Sequence, residues 1–238
     1  MRVLSYSQID LYLTCPFRYK LQYIDRLRPK IRWQFSFGTT LHRAAEFFFT
    51  TEAPKPPLLD ALLNFYELRW ISEGYGSPEE EARYRALGRE ILTRFWETHY
   101  PQFKMPLAVE KPFIINIEGI KLRGFIDRVD RLPSGNLAII DYKSGYHESM
   151  KNEVEESLQL TLYQLAAETI WLIPVESLTL YSLRHNTPFT CKGRDKYRLE
   201  EARKIVLETA GNIAQGKFEP VESENCPCDF VRLCPCQA

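Results

Sequence analysis

The period of apolar and polar positions changes several times along this chain. Leu107 to Ile117 and Lys121 to Arg131 are strand-like runs separated by Glu118-Gly119, which suits a tight turn. A third run from Asn136 to Lys143 follows Pro133-Ser134-Gly135-Asn136, a cluster of turn formers, so Lys121 to Lys143 is predicted to be a β-hairpin. Its core, Leu137-Ala138-Ile139-Ile140, is continuously apolar, as in a strand covered on both faces. Ser177 to Leu183 alternates like another strand, with Thr187 to Thr190 continuing it as an edge ribbon. Helical spacing predicts a short N-terminal helix opened by Ser5-Tyr6-Ser7-Gln8, and another over Phe37–Phe49 with Leu41, Ala45 and Phe48 on one face. It also predicts a strongly apolar helix from Leu158 to Ala167 and a last helix reaching about Gln215. Between about 53 and 104 the pattern is helical with a break at Gly74-Tyr75-Gly76-Ser77-Pro78, an insertion of two or three helices. His147 to Glu156 is polar and acid-rich.

Charge falls at an unusual place in this pattern. The buried-type run ends in Asp141-Tyr142-Lys143. Strand side chains alternate, so Asp141 and Lys143 share a face about 6.6 Å apart along the chain, while Tyr142 turns the other way. The other hairpin arm can bring Asp127 beside them. Two carboxylates converging in a partly dry volume repel unless a proton or a hard cation intervenes, and Mg²⁺ or Mn²⁺ suits oxygen ligands. Such an ion polarises a phosphoryl oxygen and acidifies water, and a neighbouring lysine stabilises the developing charge, a combination that hydrolyses phosphodiesters. An ordinary ion pair at a strand end is the competing reading of the hairpin alone. Gln159 and Tyr163, four residues apart, share a helix face and offer an amide and a phenol for a phosphate and its sugar. His42 stands beside an apolar helix face, where a histidine is more often structural than a ligand. Glu110 reads as an exposed strand residue, at most an outer neighbour of the site.

Composition narrows the partners. With 238 residues and 45% hydrophobic content the chain can bury a substantial core. Its 31 basic and 31 acidic residues cancel, so nucleic acid must be held by local patches rather than a global field. One such patch is the basic and aromatic stretch from Arg18 to Arg32, interleaved with Tyr19, Tyr23 and Trp33, which suits a single-stranded backbone with stacked bases or, equally, aromatics packed inward beneath solvated arginines. No apolar run is long enough for a membrane span, and Met1-Arg2-Val3-Leu4 is followed by polar residues, so a cytoplasmic location is expected. In a reducing compartment the tail Cys226-x-Cys228-x₅-Cys234-x-Cys236, with Cys15, is expected to bind an iron–sulfur cluster or zinc, or to remain as plain thiols, rather than form disulfides. Cys191 has no cysteine neighbour. The chain contains no G-x-x-x-x-G-K-[ST] phosphate loop, so it carries no ATP motor.

Gly124-Phe125-Ile126-Asp127, a turn, and Asp141-Tyr142-Lys143 together resemble the PD-(D/E)xK nuclease superfamily. Leu4-Ser5-Tyr6-Ser7 through Cys15-Pro16, Gly38-x-x-x-His42, Gln159-x-x-x-Tyr163 and the tail cysteines narrow the resemblance to its RecB-like group, over nearly the whole chain. The resemblance implies an α/β fold with a restriction-endonuclease-like core: a mixed central β-sheet flanked by helices, one domain over 1–238 bearing the helical insertion. It implies Mg²⁺ or Mn²⁺ held by His42, Asp127, Asp141 and Tyr142, with Asp127, Asp141, Lys143, Gln159 and Tyr163 serving catalysis. It further implies a 4Fe-4S cluster on Cys15, Cys226, Cys228 and Cys234 that ties the chain ends together. The first tail spacing and the extra Cys236 depart from that plan. The implied activity is a deoxyribonuclease, most simply an exonuclease on single-stranded DNA or DNA ends, in DNA repair or recombination or in CRISPR-type DNA processing, with helicase or integrase activity supplied by a protein partner. A catalytically silent DNA-binding or scaffolding subunit is the alternative. The intact Asp127, Asp141 and Lys143 weigh against it.

Overall fold

A computed structural model describes residues 3–50, 55–145, 150–221 and 228–237. In chain order the elements are β1 (Val3–Ser5), α1 (Tyr6–Thr14), α2 (Pro16–Tyr19) running into a π-helical turn (Lys20–Ile24), α3 (Trp33–Phe49), α4 (Leu59–Leu68) and α5 (Pro78–His99). Then come β2 (Ala108–Ile117), β3 (Ile120–Arg131), β4 (Leu137–Lys143), α6 (Met150–Glu156), α7 (Leu158–Trp171), β5 (Val175–Ser182), β6 (Thr187–Lys192) and α8 (Lys196–Ala214), with two 3₁₀ turns in the tail. The strands pair in both parallel and antiparallel senses and helices pack on them, the mixed sheet flanked by helices that the sequence leads one to expect. Among the described residues no helix is long and apolar enough to cross a membrane.

The fold divides into two compact units: residues 1–30, 112–124 and 194–238 form one, and residues 31–111 and 125–193 the other. In the first, Ser5 caps α1, its hydroxyl accepting from the Gln8 N–H while the Gln8 side chain accepts from the Ser5 N–H, so two helix-end donors are satisfied reciprocally. β1 lies parallel to β3, Val3 opposite Lys121 and Ser5 opposite Arg123. Glu118 and Gly119, both with positive φ (46° and 90°), make the turn from β2 to β3, and the Asn116 side chain accepts from the Gly119 N–H. Burial decides the role of the basic and aromatic stretch. Tyr19 is inside, stacked on Phe218 at 6.2 Å and edge-on to Tyr12, whose hydroxyl donates to the Lys217 carbonyl. Tyr19 is therefore core, whereas Tyr23, resting on it at 5.2 Å, is exposed. Cys15 and the tail residues Cys228, Cys234 and Cys236 also belong to this unit, whereas Cys226 lies outside the described residues.

In the second unit β4 is the central strand. It pairs antiparallel with β3 (Val129 opposite Ile139) and parallel with β5 (Ile140 opposite Thr179), and β5 pairs antiparallel with β6. Alternation along β4 sends Ala138, Ile140 and Tyr142 into one core with Phe37, Leu41, Ala45 and Phe48 of α3 and Phe95 of α5. α7 also packs on β4 and β5. α3 begins at Trp33, a turn earlier than the pattern predicts. That turn is held by tertiary contacts: Trp33 stacks on Tyr84 at 4.0 Å, the Ser36 hydroxyl donates to the Glu73 carbonyl, and Gly74 (φ 94°) lies against the Arg32 and Trp33 backbone. Within the polar stretch after β4, Met150–Glu156 is helical, anchored by buried Met150 and Val154. Within the helical segment Gly88 of α5 admits Tyr66 of α4, which is fully buried with its hydroxyl donating to the Arg85 carbonyl.

A Cβ at Gly88 would fall on the Tyr66 hydroxyl and 2.6 Å from its Cζ, so Gly88→Ala is expected to destabilise the protein by about 1–3 kcal/mol despite alanine's better helix propensity. Urea unfolding is the check: the midpoint should fall with the slope unchanged.

Candidate active site

The site lies at the C-terminal end of β4. Asp141 and Lys143 project to the same side, and the Lys143 ammonium sits 2.8 Å from Asp141 Oδ2. This buried oxygen is thus held by a charged partner on its own strand. Asp127 on β3 reaches over from the neighbouring arm, its Oδ2 accepting from the Tyr142 backbone N–H at 2.9 Å. His42 of α3 closes the group, with Nδ1 3.5 Å from the same Asp127 oxygen. One turn earlier on α3, Gly38 lies so close to Ser144 that an added Cβ would be 2.6 Å from its hydroxyl. That close approach lets the helix bear on the end of β4, which gives the Gly38-x-x-x-His42 spacing a physical basis.

On α7, Ser157 caps the helix and sets its first turn against the site. The Lys143 ammonium donates to Gln159 Oε1 at 2.8 Å, and the Gln159 amide donates to the Tyr163 hydroxyl at 2.8 Å. Asp141, Lys143, Gln159 and Tyr163 thus form one polar chain from strand to helix. Tyr142 points the other way: its phenol accepts from Arg128 at 3.4 Å, inside the aromatic core. Of the groups on Tyr142, only the backbone is left for a ligand role.

The structure groups the carboxylates differently from the sequence reading. His42, Glu110 and Asp127 each offer a ligand atom within 4.8 Å of one another, while Asp141 is engaged by Lys143. Glu110, which the sequence places at most at the margin, is therefore part of the candidate centre. It sits inside β2 with φ 45°, a left-handed conformation costly for a residue with a Cβ. No pattern of residue types signals that turn of the backbone.

The electrostatics follow from this crowding. Burial first, then the Asp141 charge, pushes the Asp127 carboxyl well above the usual range, with the Tyr142 N–H opposing. Burial and then Glu46 and Asp141 raise Glu110. Burial pulls His42 below its ordinary value, Asp141 opposing. For Lys143 burial acts downward, but Asp141 outweighs it and the ammonium is held. Burial raises the Tyr163 phenol, so it stays protonated. Two carboxylates and an imidazole therefore share one small volume, with the Asp141–Lys143 pair beside them. The donor set of His42, Glu110 and Asp127 fits a hard divalent cation of the Mg²⁺ or Mn²⁺ class.

The profile of the PD-(D/E)XK nuclease superfamily matches residues 3–237, and the chain belongs to that superfamily. At 27% identity it is similar to the Gene 69 protein of Mycobacterium phage L5, over 97% of this chain and 95% of that protein. It is also similar, at 29% identity over 59% of its length, to a subunit of the ATP-dependent helicase/deoxyribonuclease of Streptococcus agalactiae, of which the match spans 14%. Among solved structures, one from Eubacterium rectale assigned as a candidate exonuclease shares the fold, with a TM-score of 0.58 at 13% identity over 96% of this chain and 87% of that one.

Mutual repulsion at this site predicts a trade between stability and metal binding. Without metal, folded Asp127 keeps its proton to higher pH than the unfolded chain does, so stability should fall as pH rises above about 4. Asp127→Asn, which can still accept from the Tyr142 N–H, should raise the metal-free melting temperature at neutral pH and abolish the further rise given by Mn²⁺. Differential scanning fluorimetry with and without Mn²⁺ measures both.

Proposed function

We propose that this protein is a metal-dependent deoxyribonuclease, acting as an exonuclease on single-stranded DNA or DNA ends. The observation that carries the reading is the convergence of Asp127, Glu110 and His42 beside the Asp141–Lys143 pair at the end of one buried strand. His42, Glu110 and Asp127, whose ligand atoms lie within 4.8 Å of one another, are the proposed metal ligands, with Asp141 and the Tyr142 backbone beside them. A divalent cation, when bound, supplies Lewis-acid charge for a phosphodiester and lowers the pKa of water nearby. The side chains do the rest. Lys143 orients the attacking water and stabilises the negative charge that develops on the phosphate. Gln159 fixes the ammonium through its carbonyl oxygen, and Tyr163 holds the Gln159 amide in the orientation that keeps this oxygen toward the lysine. The phenol, kept protonated by burial, can donate to the strand that enters.

Superfamily membership and the helicase/deoxyribonuclease relatives support a DNA substrate. The same relatives support a helicase partner, since this chain has no phosphate loop of its own. The cysteines support a second, structural group. Cys15 Sγ accepts from the Arg18 N–H at 3.5 Å and Cys228 Sγ from the Phe230 N–H at 3.4 Å, both within one unit. Backbone N–H groups directed at sulfur are also a feature of cysteines that hold iron–sulfur clusters. Cys15, Cys226, Cys228 and Cys234 are proposed to hold a 4Fe-4S cluster that closes the chain ends on each other.

Lys143→Ala should retain its fold yet lose on the order of 10²–10³ in kcat on end-labelled single-stranded DNA in Mn²⁺, a loss typical of removing one charge-stabilising donor. An unchanged rate would remove the enzyme reading. Protein purified anaerobically should be brown and contain close to four iron atoms per chain; zinc in their place would overturn the cluster.

A further inference from the structure

One aromatic side chain of the second unit has no role in packing or in the chemistry above. Phe35 lies in the first turn of α3, where Ser36 and Phe37 are buried and Trp33 is stacked on Tyr84, yet its own ring is 66% exposed. The turn that carries it is fixed from behind by the Ser36 bond to Glu73 and the close approach of Gly74. Lone surface aromatics are ordinary. This one lines an open cavity of about 490 Å³ whose other walls include Gln34, Thr39, Ser144, the neighbouring Arg43 and Glu46, and His42 and Glu110 of the candidate metal centre. The volume falls in the range of small-molecule sites, and a mixed polar and apolar lining is what one nucleotide requires.

We propose that this cavity is the subsite for the nucleotide next to the scissile phosphate, with the Phe35 ring as the platform for its base and Arg43 for its flanking phosphate. The inference rests on the nuclease reading and narrows it. A ring fixed on a rigid helix turn can stack only on a base whose face is free, so the subsite selects an unpaired nucleotide, and a paired end must fray before it enters. Gln34, Thr39 and Ser144 offer side-chain amide and hydroxyl groups that suit sugar and phosphate oxygens, which carry no sequence information, so the site accepts any base. His42 and Glu110 belong to both cavity and metal group, so a nucleotide seated on Phe35 has its phosphate beside the reacting centre.

The test compares Phe35→Ala, Phe35→Leu and Phe35→Trp with the parent in Mn²⁺, on a single-stranded thymidine 20-mer, on the same length of abasic backbone, and on a blunt duplex. The ring is exposed, so thermal unfolding should be unchanged. Phe35→Ala and Phe35→Leu should lose roughly 5- to 150-fold in kcat/KM on the thymidine strand, the range for one base–aromatic stack. Phe35→Trp should restore it, and on the abasic strand all four proteins should be alike. A parent that digests single strands while Phe35→Ala matches it overturns the subsite and leaves the nuclease reading intact. An equal loss on thymidine and abasic strands overturns stacking. A parent inert on every DNA takes both readings down together.

Discussion

The interaction on which this structure turns is the mutual repulsion of carboxylates forced together at the end of one buried strand. Asp141 is 1% exposed, Asp127 reaches over from the next strand, and Glu110 approaches from a third. Folding brings them together because the backbone on either side is well paired and covered by apolar helices. β4 is buried from Leu137 to Tyr142, its ladder with β5 is unbroken from Ala138 to Lys143, and its other neighbour is β3. The core therefore carries the cost of the site. Lys143 offsets part of the excess charge.

Around that centre each helix has one task. α3 brings His42, and it does so because Gly38 has no side chain to hold the helix off Ser144. α7 brings Gln159 and Tyr163, one turn apart, so that a single helix face supplies both links of the polar chain to Lys143. α5 and the strands enclose Tyr142, whose phenol burial and then its Arg128 contact leave at a pKa of about 12. Arg128 itself is bidentate to Asp130 and lies over the Phe49 ring at 3.9 Å. A charge at this depth is tolerable because every side of the guanidinium is engaged. The same strand thus presents acid and lysine to one side and a sealed aromatic face to the other.

The unit holding both chain ends is organised differently. Its packing centres on Tyr12, Tyr19 and Phe218, which join the first helices to the segment after α8. Two described cysteines there receive backbone N–H groups at sulfur. A group ligated by them would add to an existing aromatic contact between the ends of the chain rather than create it.

Much of this was legible in residue types alone. The alternation and turn chemistry around Asp127 and Asp141 specify the hairpin, and the two-residue step from Asp141 to Lys143 specifies which side chains share a face, because strand geometry has a fixed period. The four-residue step from Gln159 to Tyr163 works in the same way for a helix. Local periodicity says nothing about backbone turned against its preference or about which half of an amphipathic segment is covered. The sequence alone therefore left Glu110 at the margin, since its place depends on φ 45° within a strand, and it read Tyr19 as a base-stacking candidate although Phe218, 199 positions along, buries it. It was equally silent on Phe35, whose exposure follows from how Trp33, Ser36 and Phe37 are engaged by the loop and helix across from them. Sequence determined the elements and the spacing of the chemical groups within each; tertiary packing decided which groups from different elements meet, because that choice is made by burial and contact between residues far apart along the chain.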